Sequence, residues 1–293
     1  MAHNDFAILK KLLILLDHPN NDIYLHIDIK VQDFDEQYYQ KLLKHASLFF
    51  TKRTNVIWGD YSQINCELLL LKEANNNYKY DYYHLISGVD LPLKSQEEIH
   101  DFFSKNKGKE FVHFNSLRLS QSTYERASLY HLFTRYGRNK GKIISFLDKV
   151  FLKIQRIFKV DRTKKDSQRM AFGANWFSIT NNLAEYVISK ESEISNKFQH
   201  TICADELFLQ TLVYNSPFKN NLYYDKMDEN YIACMRFIDW HREDCTSSPH
   251  IWRLSDYNEL ISSDYLFARK FDSKVDSAVI DKIYNYVIDK STT

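Results

Sequence analysis

The tetrapeptide Cys203-Ala204-Asp205-Glu206 sets two neighbouring acids at the start of a predicted helix. Free backbone N–H groups there favour an ionised carboxylate, the form that can take a proton from a hydroxyl at neutral pH. Acids in a first helical turn also serve simply as caps, and the tetrapeptide alone leaves both roles open. Near the other end of the sequence, Leu266-Phe267-Ala268-Arg269-Lys270-Phe271-Asp272 embeds two adjacent cations among apolar residues. A guanidinium fork can grip phosphate oxygens while a lysine adds a point charge, so the pair could neutralise a departing diphosphate in place of a divalent ion. An ion pair of Arg269 with Asp264 or Asp272 is the competing use. A base for a hydroxyl and a clamp for a diphosphate are together what inverting glycosyl transfer requires.

Other segments offer weaker chemistry. Ser87-Gly88-Val89-Asp90-Leu91-Pro92 reads as a sharp exit from a strand, where Asp90 can accept hydrogen bonds from sugar or ribose hydroxyls, although a plain turn explains its Gly and Pro equally well. Trp176, within Gly173-Ala174-Asn175-Trp176-Phe177, could stack on a sugar ring or belong to the core. The close pair Asp33-Phe34-Asp35 follows a polar stretch and reads as a solvated turn or a cap for a helix from Glu36 to Leu43. His241, Asp244, Cys245 and His250 match no metal-ligand spacing, so no metal is expected. No GxGxxG, Walker loop or GxSxG elbow occurs, which removes the usual dinucleotide, NTPase and α/β-hydrolase readings.

These residues need a scaffold, and 293 residues with 44% hydrophobic positions suffice for one. Six Gly and four Pro, none in a linker-like run, favour a single domain over 1–293. Asn4 can cap a helix from Asp5 to Asp17, followed by a strand from Ile23 to Asp28. Ser62 begins a helix through Leu71, Tyr82 to Ile86 reads as a strand, and Ser95 with Glu98 forms a capping box. Strands at 111–114 and 172–179, a helix capped by Thr180, one from Asp205 through Val213 and a last one from Val275 to Val287 complete the pattern. Such alternation predicts an α/β fold with a mostly parallel central sheet and helices on both faces, its site among the loops after Ile27, Ile86 and Cys203.

A formal charge of +1 argues against a nucleic-acid partner, and four scattered cysteines suggest reduced thiols. No apolar run approaches the roughly 20 residues of a membrane span, and no signal peptide is read, so a cytoplasmic protein is expected. The balanced charge conceals a basic insertion from Arg135 to Arg169. Within it, Ile143, Leu147, Val150, Phe151, Ile154, Ile157 and Phe158 recur at helical spacing, with Lys142, Lys149, Lys153, Arg156 and Lys159 off that stripe. Two readings stand: a helix packed by its apolar face with a solvated basic side, or one that docks over 143–159 on anionic lipid at the inner face of the cell membrane.

Taken in order, Ala2-His3-Asn4, His26-Ile27-Asp28, Leu85-Ile86-Ser87-Gly88-Val89-Asp90-Leu91-Pro92-Leu93-Lys94, the 172–177 segment, Asp205-Glu206 and the 266–272 segment resemble the core-2/I-branching enzyme family, over nearly the whole chain. That family includes β-1,6-N-acetylglucosaminyltransferases and is related to peptide O-xylosyltransferases. The resemblance implies a GT-A fold, a UDP-sugar donor, inversion and no metal or other cofactor. It makes Glu206 the catalytic base and Lys270, with Arg269, the diphosphate clamp. It places His3 and Asp28 near uracil and ribose and Asp90 on the loop facing the donor, with Trp176 and Asp205 as further candidates for sugar contacts. Arg242, in Trp240-His241-Arg242, is the match for a second basic residue upstream of the last motif. Family members usually carry a complete strand ahead of Ala-His-Asn, which Met1 here nearly abuts, and the disulfides of secreted animal relatives have no counterpart, as in a bacterial cytoplasmic member. The implied reaction moves N-acetylglucosamine, or xylose or another hexose, to a glycan, lipid-linked or protein-linked acceptor in surface polysaccharide synthesis. A catalytically inactive glycan- or nucleotide-binding module is the rival, disfavoured because such a module needs neither base nor clamp.

Overall fold

The computed structural model describes residues 1–116, 118–138, 141–164, 166–245 and 248–291. In chain order its helices and strands are α1 (Phe6–Leu15), β1 (Asp22–Leu25), α2 (Glu36–Gln40), β2 (Ser47–Phe50), α3 (Ser62–Asn77), β3 (Tyr82–His84), β4 (Leu91–Pro92), α4 (Gln96–Lys105), β5 (Phe111–Val112), α5 (Gln121–Ser128), α6 (Gly141–Ile157), β6 (Phe177–Thr180), α7 (Asn181–Ser189), α8 (Glu191–Phe198), α9 (Phe208–Tyr214), β7 (Arg236–Ile238), α10 (Tyr257–Ser262), β8 (Phe267–Arg269) and α11 (Ser277–Ser291). Local chemistry sets several of their ends. Ser95 and Glu98 close the expected capping box on α4, Thr180 caps α7, and Asp35 caps α2 by accepting from the Tyr38 N–H at 3.0 Å. The cap of α1 is Asp5 rather than Asn4.

The fold is mixed α/β, but the described strands form small sheets instead of one mostly parallel sheet. β1 and β2 pair in parallel, β7 runs parallel to β8, and β4 and β5 run antiparallel to β8 and β6. Alternating strands and helices suggested parallel crossovers, yet Leu91 pairs with Ala268 and Pro92 with Phe267 in reverse sense. Two-residue strands carry no periodicity that could announce their direction.

Backbone packing resolves two compact units, one of Met1–Thr54, His84–Gly108 and Tyr231–Thr293, the other of Asn55–Tyr83 and Lys109–Asn230. Each is assembled from separate stretches of chain, so no linker marks a boundary. In the first unit α1 serves two clusters. Ile8, Leu12 and Leu15 pack with Leu91, Leu93, Trp252, Phe271 and the α11 residues Val279 and Ile283, while Leu9 and Leu13 pack with Leu25, Ile27 and Leu48. An apolar face on both sides explains why α1 is hydrophobic nearly all round.

In the second unit, β5 and β6 bury Phe111 and Phe177, and α7 adds Leu183 and Val187. Gly173 lies against backbone: a Cβ there would sit 1.9 Å from the His113 carbonyl oxygen. Gly173→Ala is therefore expected to destabilise this unit by roughly 1–3 kcal/mol or more. Urea unfolding checks this, and an unchanged midpoint would mean that the two segments separate without cost.

Helix α6 corrects the simpler of the two readings of the basic insertion. Its packed side holds Gln155, whose amide exchanges hydrogen bonds with the N–H and carbonyl of Tyr130 at 2.8 and 2.9 Å, whereas the apolar stripe, Phe151 excepted, faces solvent. Lys140 and Lys165 of that insertion lie outside the described residues. Among the described residues no helix is long and apolar enough to cross a membrane, and all four cysteines are free thiols.

Candidate functional site

In the second unit the acids stand on a turn of 3-10 helix, Ala204–Glu206, which leads into α9. Cys203 enters the turn with a positive φ of 49° and donates its N–H to the Gly59 carbonyl at 2.9 Å. On the other side the Gly173 N–H donates to the Glu206 carbonyl at 3.0 Å, so the turn is strapped from two directions. Glu206 keeps its side chain 34% exposed, and its Oε2 lies 2.5 Å from Nη1 of Arg126 on α5, which is 30% exposed. The Arg126 guanidinium in turn stands 5.4 Å over the Phe172 ring. A carboxyl group so held is oriented and reachable by solvent.

Asp205 points the other way, into protein. Its Oδ2 accepts from Gln63 Nε2 at 2.9 Å, its buried Oδ1 has no hydrogen-bond partner among the described residues, and burial, then the Glu206 charge, push its pKa up to about 7. Glu67 lies one turn beyond Gln63 on α3, wholly buried, with neither carboxyl oxygen hydrogen-bonded among the described residues. Burial first and Asp205 second hold it well above the usual carboxylate range. The same surroundings push the Cys203 thiol up to about 12, so it is no nucleophile at neutral pH. Beside the partly exposed Glu206, the two buried carboxyls of Asp205 and Glu67 thus favour the neutral form.

In the first unit, the loop after β3 carries Ser87 and Asp90. Asp90 is buried, accepting from the Ser87 N–H and Oγ–H at 2.9 and 2.7 Å and from Arg269 Nη1 at 2.7 Å. Arg269 also donates to Ser87 Oγ at 2.5 Å. Gly88 lets this loop meet the N-terminal segment: its N–H donates to the Met1 carbonyl at 2.9 Å, and a Cβ would lie 2.8 Å from that of Ala2. Ala2 itself pairs in parallel with Ile27, which brings His3 beside Asp28. Asp28 is buried and holds Lys30 at 3.1 Å. The His3 side chain reaches solvent, yet surrounding protein lowers its pKa against the pull of Asp28, with Lys30 and Lys270 adding to the lowering. Lys270 is therefore within electrostatic reach of His3.

Three candidates have other company than their sequence context suggested. Arg242 divides its guanidinium among Asp239, Asp256 and Glu259 at 2.8, 2.7 and 2.6 Å, which raises its pKa further and leaves no fork for a diphosphate. Trp176 is only 7% exposed, so it offers a sugar little of its face. Asp90 holds Arg269 in place instead of presenting a free carboxylate. His250, considered above as a ligand, sets Nδ1 against Asp244 and Nε2 against Asp256. Sequence reasoning missed Arg126, Gln63 and Glu67, as well as Trp58, which is exposed with Arg138 stacked 3.4 Å from its ring centroid. Only Glu67 left a local trace, an acid inside an otherwise apolar helix face.

A model of the family described as Core-2/I-Branching enzyme matches residues 1–261. The chain is similar to Xylosyltransferase 2 of Rattus norvegicus, 24% identical over 299 residues that cover 93% of this chain and 31% of the relative. It is similar also to Xylosyltransferase oxt of Drosophila melanogaster, 25% identical over 297 residues covering 92% and 31%, and to Xylosyltransferase sqv-6 of Caenorhabditis elegans, 25% identical over 293 residues covering 91% and 33%. It spans about a third of the length of these curated relatives. From a match over most of its length, the chain belongs to the Core-2/I-branching enzyme family of glycosyltransferases.

Proposed function

We propose that this protein is an inverting glycosyltransferase of GT-A type that moves a sugar from UDP to a hydroxyl of a glycan or glycoconjugate without a metal. The observation that carries the reading is Glu206, a partly exposed carboxyl fixed by Arg126 on a doubly strapped turn. In this mechanism Glu206 takes the proton of the acceptor hydroxyl as its oxygen attacks the anomeric carbon. The bond from that carbon to the diphosphate breaks on the opposite side, which inverts the centre, and UDP departs with the electron pair. Lys270 and Arg269 stabilise the charge that develops on the diphosphate, as positioned cations do for other leaving groups. Asp90 and Ser87 hold Arg269, His3 and Asp28 flank the nucleotide, and Arg242 braces its own segment through three carboxylates.

N-acetylglucosamine in β-1,6 linkage is the first donor sugar to test, and the naming of the relatives as xylosyltransferases favours xylose as the second. A cytoplasmic role in surface polysaccharide synthesis belongs to the same proposal, and the free thiols suit a reducing compartment. Thermal unfolding with UDP, UDP-N-acetylglucosamine and UDP-xylose is the direct test. A ligand at about 100 times its dissociation constant should stabilise by about 2.7 kcal/mol, which reads as a raised midpoint. Lys270→Ala should lose most of that shift and most of the turnover. UDP release should persist in EDTA, and loss in EDTA with recovery on adding manganese would overturn the clamp.

A further inference from the structure

The solvent side of α6 is built like a surface that meets lipid. Ile143, Phe146, Val150, Ile154 and Ile157 follow one another at spacings of three and four residues, and Phe158 continues the line just past the helix end. All are exposed, Ile143 by 77%, Phe146 by 66% and Phe158 by 76%. A solvent-facing apolar stripe of this length is unusual unless something covers it. Beside it, Lys142, Lys149 and Lys153 form a line along one flank. All three are exposed, and among the described residues no ion pair engages them. Arg156 continues that line but is tied to Glu125 at 2.6 Å. The opposite side of the helix is fixed to the unit through Gln155 and through Phe151, whose ring meets that of Phe133 at 6.1 Å. The stripe is therefore presented outward by a helix anchored from behind.

We propose that this face of α6 docks on an anionic lipid bilayer, with the stripe entering the boundary between headgroups and acyl chains and the lysine flank meeting lipid phosphates or carboxylates. Charge complementarity selects that occupant, because a row of like charges along an apolar stripe is what a negatively charged surface with an apolar interior satisfies. A second copy fits less well. An antiparallel pairing of two stripes about a twofold axis would bring lysine flank against lysine flank. Seventeen helical residues with flanking cations are too short and too charged to span the bilayer, so the helix lies in its plane. The inference stands on α6 alone and does not depend on the glycosyltransferase reading.

Co-sedimentation of the whole protein with vesicles tests it. Vesicles of phosphatidylcholine with phosphatidylserine or phosphatidylglycerol should pellet the protein at low salt, phosphatidylcholine alone should not, and binding should fall as salt rises. Each lysine is worth about fivefold in partitioning, so Lys142→Glu, Lys149→Glu and Lys153→Glu combined should lower binding at least about a hundredfold. Phe146→Ser with Ile157→Ser should weaken it while leaving the lysines in place. All five side chains are exposed, so the midpoint of thermal unfolding should stay unchanged and show that the variants fold. Equal binding to phosphatidylcholine alone, no binding at low salt, or charge-reversed variants that pellet like the wild type would each overturn the proposal. So would a dimer seen by analytical ultracentrifugation without vesicles and abolished by Phe146→Ser with Ile157→Ser, which would assign the stripe to a second copy.

Discussion

Glu206→Gln is expected to lower turnover by about two to four orders of magnitude while donor binding stays close to that of the wild type. The substitution is nearly isosteric, and the glutamine carbonyl can still accept from Arg126, so the turn from 204 to 206 should keep its geometry. What disappears is the capacity to take a proton. A general base acts mainly in the transition state, so the loss should fall on turnover and spare the UDP-induced rise in unfolding midpoint. Lys270→Ala should differ, because the diphosphate is charged both before and after the bond to the sugar breaks. Release of UDP, measured for both variants beside the thermal shift with UDP, separates the two patterns. Near-normal turnover of Glu206→Gln would remove Glu206 from the role of base.

What could be read from the sequence was mostly local. The capping box of Ser95 and Glu98 lies within four residues, and its signal is the interaction itself. The Asp205-Glu206 turn was likewise visible as a pair of acids before an apolar run, although it forms a 3-10 turn before the helix resumes. Arg269 shows the limit. An acid within a few residues was the natural partner to suspect, but the one that holds it is Asp90, 179 residues earlier in the chain. Nothing in local spacing encodes that approach, which depends on β4 pairing with β8 and on Gly88 admitting Ala2. The partners of Arg242 were hidden for a related reason, since Asp256 and Glu259 come to it from a neighbouring segment. With α6 the periodicity located the stripe apart from Phe151 and said nothing about what covers it. Amphipathic spacing defines a face, while burial depends on which neighbours the chain supplies.

The contribution of Asp205 to stability should fall as pH rises from 5 to 8, by on the order of 3 kcal/mol, and Asp205→Asn should remove it. The sign follows from burial. Asp205 has an ordinary value of 3.8 and is pushed up to about 7 in the folded chain, first by burial and then by Glu206. Between those two values the unfolded chain has released a proton that the native state still holds, so each step up in pH favours unfolding. The contribution is whole below about pH 4 and is lost as pH passes through about 7. Glu67, held well above the carboxylate range by burial and by Asp205, acts in the same sense. Buried histidines act in the opposite sense. His26 and His113, both lowered to about 4, cost stability as pH falls below 6.5, because the unfolded chain takes protons that the folded one refuses. They are common to wild type and variant, so they cancel in the difference between the two proteins. Urea unfolding of wild type, Asp205→Asn and Glu67→Gln at pH 5 and pH 8 measures that difference. Asparagine can still accept from Gln63 and never ionises, so the gain of Asp205→Asn over wild type should be larger at pH 8 than at pH 5. Turnover of Asp205→Asn should stay within about tenfold of wild type, since its carboxyl is buried away from any acceptor and Glu206 remains. If all three proteins showed the same pH slope, Asp205 and Glu67 would have to be ionised in the fold, each with a partner for its charge.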